Sequence, residues 1–306
     1  MTSSEAIYDF LECYRQETDR VELTLGEPMR RHTSFHIGGS ADIFAEPADE
    51  EALEIGTVLC RRFEIPYLIL GNGSNLLVGD RGIRGAVFSM AGLSECTRNG
   101  AEITAGAGIP LMKLSRLAAD ASLTGLEFAG GIPGSLGGAV FMNAGAYGGE
   151  MKAAVRGVRV LTENGIRSFR GDEMDFSYRH SRIEAEGGVI LSAVLSLAEG
   201  DPEKIRETMK DLQKRRQDKQ PLEYFSAGST FKRPEGFFAG KLIEDAGLKG
   251  FSVGAAQVSE KHAGFVINRG GASAREVRQL MEEVQRRVFE RFGVTLEPEV
   301  RMGGEW

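Results

Sequence analysis

The alternation of apolar and polar residues divides the chain into three regions, and the first, residues 1–81, mixes helical and extended patterns. An amphipathic helix is predicted over residues 6–15, followed by an extended segment over 33–46. A second helix is predicted over 49–63, with acidic residues in its first turn, where the helix dipole favours them. Residues 66–70 are predicted to form a buried strand, which makes this region typical of a βαβ unit.

The second region, residues 82–200, consists of short β-rich segments interrupted by one predicted helix. That helix covers residues 110–121 and has a proline at its start, where no N–H donor is needed. The stretches 155–162 and 166–169 flank Asn164-Gly165, a strong signal for a β-hairpin. Antiparallel β-structure is therefore expected here.

Helices return in the third region, residues 201–293. Three are predicted there, over residues 202–219, 238–246 and 273–292. The last begins with a capping box, in which Ser273 is followed three residues later by Glu276, and Gly293 ends it.

A final strand is predicted over residues 294–301. The period of two in a strand places Glu297, Glu299 and Arg301 on one face, opposite an apolar face. Pro298 within this strand indicates a sheet edge, because proline cannot donate to a ladder. The pattern alone is equally compatible with a solvated polar face.

These patterns together predict an α+β fold in three parts. Residues 1–81 form the first part, which the C-terminal strand within 294–306 is expected to join. Residues 82–200 form the second part, and residues 201–293 form the third. A chain of 306 residues is long enough for such a multi-part architecture.

The composition is that of an ordinary globular protein, with 42% hydrophobic and 26% charged residues. The net charge of −7 argues against nucleic-acid and membrane partners. Cys13, Cys60 and Cys96 have no disulfide or zinc spacing, and the histidines form no ligand cluster, so no metal is expected. The charged N-terminus and the lack of an apolar run of ~20 residues predict a cytoplasmic protein.

Glycine is the one residue in clear excess, with 40 copies where an average chain would have about 21. One cluster, Gly71, Asn72, Gly73, Ser74 and Asn75, directly follows the predicted strand 66–70. Glycines here allow successive N–H groups to point at one anion. A plain turn between strands is the alternative interpretation. The segment is neither a dinucleotide-binding fingerprint nor a Walker A loop.

A second cluster, residues 130–149, contains eight glycines in twenty residues. A flexible linker would be polar, but apolar residues such as Leu136, Val140 and Phe141 are interspersed here and are expected to be buried. A packed segment with so little side chain brings its backbone close to something large. That neighbour is either another element of the chain or a flat ligand.

Seven phrases, in order, resemble the UDP-N-acetylenolpyruvoylglucosamine reductase (MurB) family. They are 33–42 (TSFHIGGSAD), 71–78 (GNGSNLLV), 131–140 (GIPGSLGGAV), 143–147 (NAGAY), 226–234 (SAGSTFKRP), 258–268 (VSEKHAGFVIN) and 296–301 (LEPEVR). The resemblance extends over residues 33–301. The short stretch between residues 179 and 229 is similar to the compact subclass of the family, which lacks an extra loop over the substrate.

The resemblance implies FAD held in a two-part α/β domain of the vanillyl-alcohol-oxidase (PCMH) type, with a C-terminal α+β substrate-binding domain. The loop 71–75 would then face the FAD pyrophosphate. A second set of cofactor-binding residues is implied beside the pyrophosphate and the isoalloxazine, namely Gly131, Ile132, Pro133, Gly134 and Gly138. Arg301 would lie toward flavin and substrate.

The implied reaction is the NADPH- and FAD-dependent reduction of UDP-N-acetylglucosamine enolpyruvate to UDP-N-acetylmuramate for peptidoglycan synthesis. NADPH is the co-substrate that reduces the flavin. Hydride passes from flavin N5 to the vinyl carbon, which leaves enolate character beside a carboxylate. The site must stabilise that charge and supply one proton.

Three residues match the catalytic residues of the family. Ser229 corresponds to the proton donor, Arg179 to the arginine at the substrate carboxylate, and Glu299 to the glutamate that orients or helps to protonate the intermediate. A guanidinium suits a carboxylate that becomes an enediolate. Without the resemblance, Ser229 would be interpreted as a turn residue and Arg179 as a surface residue.

Three further residues are implied to contact a small-molecule nucleotide-sugar substrate: Tyr178, Gln257 and His262. Two rival functions stay open at this point. A flavin-dependent oxidase or dehydrogenase of the same fold would explain the glycines but not the set Arg179, Ser229 and Glu299. A non-catalytic nucleotide-sugar binding protein that has lost flavin is the second rival, and a yellow purified protein would exclude it.

Overall fold

The structure is a computed structural model, which describes residues 4–306. Within these residues eight α-helices form: α1 (Ser4–Glu17), α2 (Glu50–Arg62), α3 (Leu111–Asp120), α4 (Leu136–Phe141), α5 (Arg182–Glu186), α6 (Pro202–Lys219), α7 (Ala239–Asp245) and α8 (Ala274–Phe292). None of these described helices combines the length and the hydropathy that a membrane span requires.

The described chain also forms eighteen short strands: β1 (Val21–Pro28), β2 (Ser40–Pro47), β3 (Tyr67–Leu70), β4 (Leu76–Val78), β5 (Ile83–Ser89), β6 (Cys96–Asn99), β7 (Glu102–Gly106), β8 (Leu123–Thr124), β9 (Gly145–Ala146), β10 (Gly149–Glu150), β11 (Val155–Thr162), β12 (Gly165–Arg170), β13 (Val189–Ser196), β14 (Ala198–Glu199), β15 (Ser252–Val253), β16 (Ala256–Val258), β17 (Val266–Asn268) and β18 (Arg301–Gly303). The α+β class predicted from the sequence is confirmed.

The first sheet has the strand order β1-β2-β5-β3, with the last three strands parallel. Helices α1 and α2 lie on it, and Asp49 begins α2 by accepting a hydrogen bond from the Ala52 N–H. Strand β1 was not predicted. Its apolar residues Val21, Leu23 and Leu25 alternate with polar ones, but each is at least partly exposed. The strand predicted over 66–70 is present as β3, but only Leu70 in it is buried, and Tyr67 at its other end is exposed.

The second sheet is antiparallel, in the order β12-β11-β13-β7-β6. The predicted hairpin is present as β11 and β12, with Thr162 opposite Gly165. The two-residue turn is therefore 163–164, and Gly165, with φ +93°, is the first residue of β12. One apolar core connects this sheet with α1, α2 and α3.

The C-terminal part is built on α8, which packs on the small antiparallel sheet β15-β16-β17. The predicted capping box is present: the Ser273 hydroxyl accepts from the Glu276 N–H, and the Glu276 carboxylate accepts from the Ser273 N–H. Gly293 ends the helix in the left-handed conformation, with φ +68°. The apolar face of α8 fills a second core.

The predicted final strand over 294–301 was wrong. Only β18, which begins at Arg301, is a strand, and it pairs in parallel with β4. Residues 297–300 instead bond to the loop 230–232: Lys232 N–H donates to the Glu297 carbonyl at 2.8 Å, and Glu299 N–H donates to the Thr230 carbonyl at 2.8 Å. These bonds form an isolated antiparallel bridge between Phe231 and Pro298, which does not extend into a strand.

The second glycine cluster is folded chain rather than linker. Residues Glu127–Gly131 form a 3-10 helix, and α4 follows with Leu136 and Val140 buried, as expected. Phe141 is only half-buried. The helix was missed because its six residues include two glycines, which disfavour helix.

Candidate active site

The two glycine-rich clusters, separated by some sixty residues in sequence, form one surface. The Asn72 side-chain amide donates to the Pro133 carbonyl at 3.0 Å. A Cβ added at Gly71 would lie 2.3 Å from the Ser135 hydroxyl oxygen, and one at Gly134 would lie 3.6 Å from the Ser74 hydroxyl oxygen. The structure therefore brings the predicted cofactor-binding loops together.

The first cluster presents unpaired backbone donors. Within residues 4–306, the N–H groups of residues 72–75 donate to no protein acceptor. Three of these residues, Asn72, Ser74 and Asn75, are half-buried or exposed, so a ligand can reach them. Such a run of N–H groups suits an anion such as a pyrophosphate.

The glycines on this surface serve two different purposes. A Cβ at Gly73 would lie 2.0 Å from the His32 carbonyl oxygen, and its φ is +58°, so the chain's own packing requires glycine there. Gly134 and Gly138 have ordinary φ values and room for a Cβ, with nearest atoms at 3.6 and 3.7 Å. A ligand lying against the backbone would explain glycine at those two positions.

Arg179 occupies a tight turn in a strained conformation. Ser177 and His180 exchange two backbone hydrogen bonds of 3.2 Å across the turn, and Arg179 has φ +55°. The left-handed region is unfavourable for a non-glycine residue and is enriched at functional sites. The turn is held by Asn143, whose side-chain amide donates to the Ser177 carbonyl at 3.0 Å.

Arg179 and Glu299 form a largely buried ion pair. Arg179 Nε donates to Glu299 Oε1 at 2.7 Å, and the side chains are 20% and 10% exposed. Burial raises the pKa of the Glu299 carboxyl above the ordinary 4.5, although the Arg179 charge opposes the shift. The site therefore contains a carboxyl that retains its proton to higher pH than a solvated glutamate.

Ser229 lies on the segment that supports this ion pair. It follows Gly228, which has φ +76°, and precedes Thr230. The Thr230 carbonyl accepts from Glu299 N–H, and the Thr230 hydroxyl accepts from Val266 N–H at 2.9 Å. Within residues 4–306 the Ser229 hydroxyl makes no hydrogen bond, so it is available to a ligand.

The same corner connects to the first glycine cluster. The Asn75 side-chain amide donates to the Glu299 carbonyl at 3.0 Å, and Arg301 N–H donates to the Asn75 carbonyl at 3.0 Å. The chain segments carrying Arg179, Ser229 and Glu299 thus converge beside the predicted cofactor loop.

Arg301 is bound to other residues of the chain. Its guanidinium forms an ion pair with Glu184 and lies 4.7 Å from the centre of the Phe141 ring. Burial opposes ionisation of Glu184, but the hydrogen bond from His180 and the Arg301 charge outweigh it and lower the pKa of this carboxyl.

The three predicted substrate contacts have different surroundings. Tyr178 is half exposed, and its hydroxyl accepts from the Arg233 N–H at 3.1 Å, beside the Ser229 segment. Gln257 donates its side-chain amide to the Gly250 carbonyl at 3.0 Å. His262 Nδ1 accepts from Gly264 N–H at 3.1 Å, and burial lowers the pKa of the ring. Gln257 and His262 are thus engaged in local turns of the C-terminal part.

Sequence reasoning gave no role to Asn143 or Thr230. Asn143 is buried with φ +42°, and besides Ser177 it binds the Glu150 carboxylate at 2.9 Å and accepts from Lys152 N–H at 2.9 Å. Both residues lie in phrases that carry the family resemblance, but no local pattern shows that they position the loops of Arg179 and Ser229.

Two family models match the chain. A FAD binding domain model matches residues 41–168, and the C-terminal domain model of UDP-N-acetylenolpyruvoylglucosamine reductase matches residues 220–303. A solved structure of UDP-N-acetylenolpyruvylglucosamine reductase (MurB) from Thermus caldophilus superposes with a TM-score of 0.78 at 37% identity, covering 92% of this chain and 98% of that one. The predicted combination of a FAD-binding domain with a C-terminal domain is confirmed.

Curated relatives extend the similarity over almost the whole chain. The UDP-N-acetylenolpyruvoylglucosamine reductase of Agathobacter rectalis is 50% identical over 311 residues, with 97% of this chain and 99% of the relative covered. The enzyme of the same name from Caldanaerobacter subterraneus subsp. tengcongensis is 52% identical over 285 residues, with 93% and 94% covered. The chain belongs to the UDP-N-acetylenolpyruvoylglucosamine reductase family.

Proposed function

We propose that this chain is a cytoplasmic, FAD-dependent reductase that converts UDP-N-acetylglucosamine enolpyruvate to UDP-N-acetylmuramate with NADPH, in peptidoglycan synthesis. The observation that carries the proposal is the buried Arg179–Glu299 pair, which lies beside the free Ser229 hydroxyl and the Asn75 end of the cofactor loop. This arrangement combines a cation for a carboxylate, a proton source and a cofactor surface.

The residues present fit a bound FAD. The unpaired N–H groups of 72–75 would hold its pyrophosphate, and the open backbone at Gly134 and Gly138 would lie against it. Bound FAD supplies hydride-transfer chemistry, while the protein supplies placement and polarity. Arg301 would act near this surface while paired with Glu184.

Arg179 would hold the carboxylate of the enolpyruvyl group. Its Nε donates a hydrogen bond to Glu299, and within residues 4–306 its two terminal nitrogens donate no hydrogen bond. They can therefore bind both oxygens of a substrate carboxylate and stabilise the charge that develops there. The Glu299 pair and the strained turn fix the guanidinium before substrate arrives, which lowers the reorganisation needed.

Ser229 would donate the proton that completes the reaction. An enolate beside a carboxylate is basic enough to take a proton from a neutral hydroxyl. The Glu299 carboxyl, whose pKa is raised by burial, would be a second source of a proton in the same corner. Tyr178 would line the substrate side, where its ring lies 5.2 Å from the Arg179 guanidinium carbon.

We further propose three functional parts. The first, residues 1–81 with 294–306, and the second, residues 82–200, would hold FAD between them. The third, residues 201–293, would cover the nucleotide-sugar substrate and would contribute Gln257 and His262 through the turns that they order.

The cofactor placement is tested with Gly138→Ala. The added Cβ has room within the protein, so stability should be unchanged, whereas flavin affinity should fall about tenfold or more because the ligand loses its close approach. Gly157→Ala in β11, which also has room with its nearest atom at 3.6 Å, is the matched control. Equal flavin affinity in both variants would place FAD elsewhere.

The substrate assignment is tested by steady-state turnover. NADPH oxidation should depend on the enolpyruvyl nucleotide sugar, and mass spectrometry should show a product heavier by two hydrogens. A same-fold oxidase would instead consume oxygen at a rate that the nucleotide sugar leaves unchanged. A binding protein without flavin would show neither reaction.

A further inference from the structure

Arg216 is a half-buried cation that the described chain leaves without a counter-ion. Within residues 4–306, five arginines are neither fully buried nor exposed. Four of them pair with carboxylates: Arg84 with Asp42, Arg179 with Glu299, Arg182 with Asp175, and Arg287 with Glu283. Arg216 is the fifth, and within the same residues its guanidinium forms no ion pair or hydrogen bond.

The position of Arg216 is set by packing of α6 against the second glycine cluster. A Cβ added at Gly131 would lie 3.1 Å from Arg216 Cδ and 3.2 Å from its Nη1, and one at Gly130 would lie 3.2 Å from Met209 Cε. Met209 and Arg216 are seven residues apart and so share one face of α6. The guanidinium is thereby held beside Gly131, a predicted cofactor-binding residue.

The surroundings favour an anion. Helix α6 contains seven lysines and arginines against four acidic residues, on a chain whose net charge is −7. One turn beyond Arg216, the side-chain oxygen of Gln220 is buried without a hydrogen-bond donor among residues 4–306. Burial lowers the pKa of Arg216, but an arginine stays charged at neutral pH.

A half-buried charge without a counter-ion is unfavourable, unless a bound ligand of opposite charge neutralises it. We propose that Arg216 binds a phosphate group of a nucleotide ligand that lies beside Gly131. The planar guanidinium matches two phosphate oxygens, and Gln220 can accept from a hydroxyl or N–H of the same ligand. The proposal rests on the proposed function, which supplies three phosphate-bearing ligands: FAD, the nucleotide sugar and NADPH.

The test compares Arg216→Gln with Arg215→Gln. Arg215 is the adjacent residue, and its side chain is 58% exposed and pairs with Asp211, so it is a matched control. Calorimetric titrations of each protein measure the affinity for UDP and for NADP⁺, and reconstitution measures the affinity for FAD. Arg216→Gln should weaken one of these by about tenfold or more, while Arg215→Gln changes none.

The ligand whose affinity falls is the one whose phosphate Arg216 binds. A loss of UDP affinity assigns the contact to the substrate diphosphate, and a loss of NADP⁺ affinity assigns it to the reductant. A loss of FAD affinity assigns it to the cofactor. Arg216→Lys retains the charge and most of the aliphatic side chain, and it replaces Arg216→Gln in the test if that variant folds poorly. It should also bind the same ligand more weakly than the wild-type protein does. The proposal is overturned if the Arg216 variants match Arg215→Gln for all three ligands. Because these titrations need no turnover, they stay separate from the assay of the proposed function.

Discussion

Two Arg–Glu pairs are bonded to the Arg179 turn, Arg179–Glu299 directly and Arg301–Glu184 through His180, and their carboxyl pKa values shift in opposite directions. Arg179 and Glu299 are 20% and 10% exposed, and burial raises the pKa of Glu299. Arg301 and Glu184 are 49% and 30% exposed, and the pKa of Glu184 is lowered. The two carboxyls thus shift in opposite directions. At Glu299 desolvation outweighs the attraction of Arg179, whereas at Glu184 the hydrogen bond from His180 and the Arg301 charge together outweigh desolvation.

On the proposed function, the buried pair takes part in the chemistry, whereas the exposed pair mainly fixes Arg301 in place. The buried pair holds an arginine whose two terminal nitrogens form no hydrogen bond within residues 4–306, and a carboxyl whose pKa is raised by burial. The exposed pair neutralises its own charges next to Phe141 and is screened by solvent. Substitutions that affect the two pairs should therefore differ greatly in effect.

The largest effect is expected for Ser229→Ala, beside the buried pair. NADPH oxidation should proceed at near wild-type rate, because it needs no proton from Ser229. Transfer to the enolpyruvyl substrate should slow by about 10²–10⁴-fold, roughly 3–5 kcal/mol of barrier. Single-turnover absorbance measures each half-reaction. Ser229→Cys should retain more activity than Ser229→Ala, and equal slowing of both halves would make Ser229 a positioning residue.

Next in size is Arg179→Ala, which removes the cation of the buried pair. Substrate reduction should slow by about 10²–10³-fold through lost charge stabilisation. Arg179→Lys should not restore it, because an ammonium cannot bind Glu299 and both carboxylate oxygens in the same geometry. Steady-state rates decide the point, and near-native activity of the lysine variant would refute the two-oxygen contact.

A smaller effect is expected in the pH dependence of Ser229→Ala. Its residual rate should depend on the Glu299 proton, whose pKa is raised above 4.5. The rate should therefore fall as pH rises through that pKa, by up to about tenfold per pH unit. In Ser229→Ala/Glu299→Gln the profile should be flat. An unchanged slope in the double variant would exclude Glu299 as the source of the proton.

The smallest effect is expected for Glu184→Gln in the exposed pair. Because the folded-state pKa of Glu184 is lowered, its contribution is present above pH 4.5 and is lost as pH falls through the lowered value. Unfolding by urea at pH 7 should show a loss below about 1 kcal/mol. Turnover should change little. A loss of turnover as large as that expected for Arg179→Ala would contradict the proposed difference between the two pairs.

Local signals in the sequence predicted much of the fold. Helix α6, the α8 capping box and the β11–β12 hairpin follow from patterns within a few residues. The region 294–301 could not be predicted, because its partner is the loop at Thr230 and not a neighbouring strand. Two glycines with opposite purposes, Gly73 and Gly138, also look alike in sequence, since only tertiary packing separates them.

The residues of the site could be predicted mainly from the resemblance to the family. Arg179 and Glu299 are 120 residues apart, and no periodicity connects them. Arg216 is one of several basic residues on a polar helix, and only the structure shows that its charge is half-buried and unpaired.

The most direct test of the central claim is the visible spectrum of the purified wild-type protein through one anaerobic cycle. The account predicts a flavin absorbance band, which one equivalent of NADPH bleaches and one equivalent of the enolpyruvyl nucleotide sugar restores. A protein that cannot be reconstituted with FAD, or a bleached flavin that oxygen reoxidises while the nucleotide sugar does not, would contradict it.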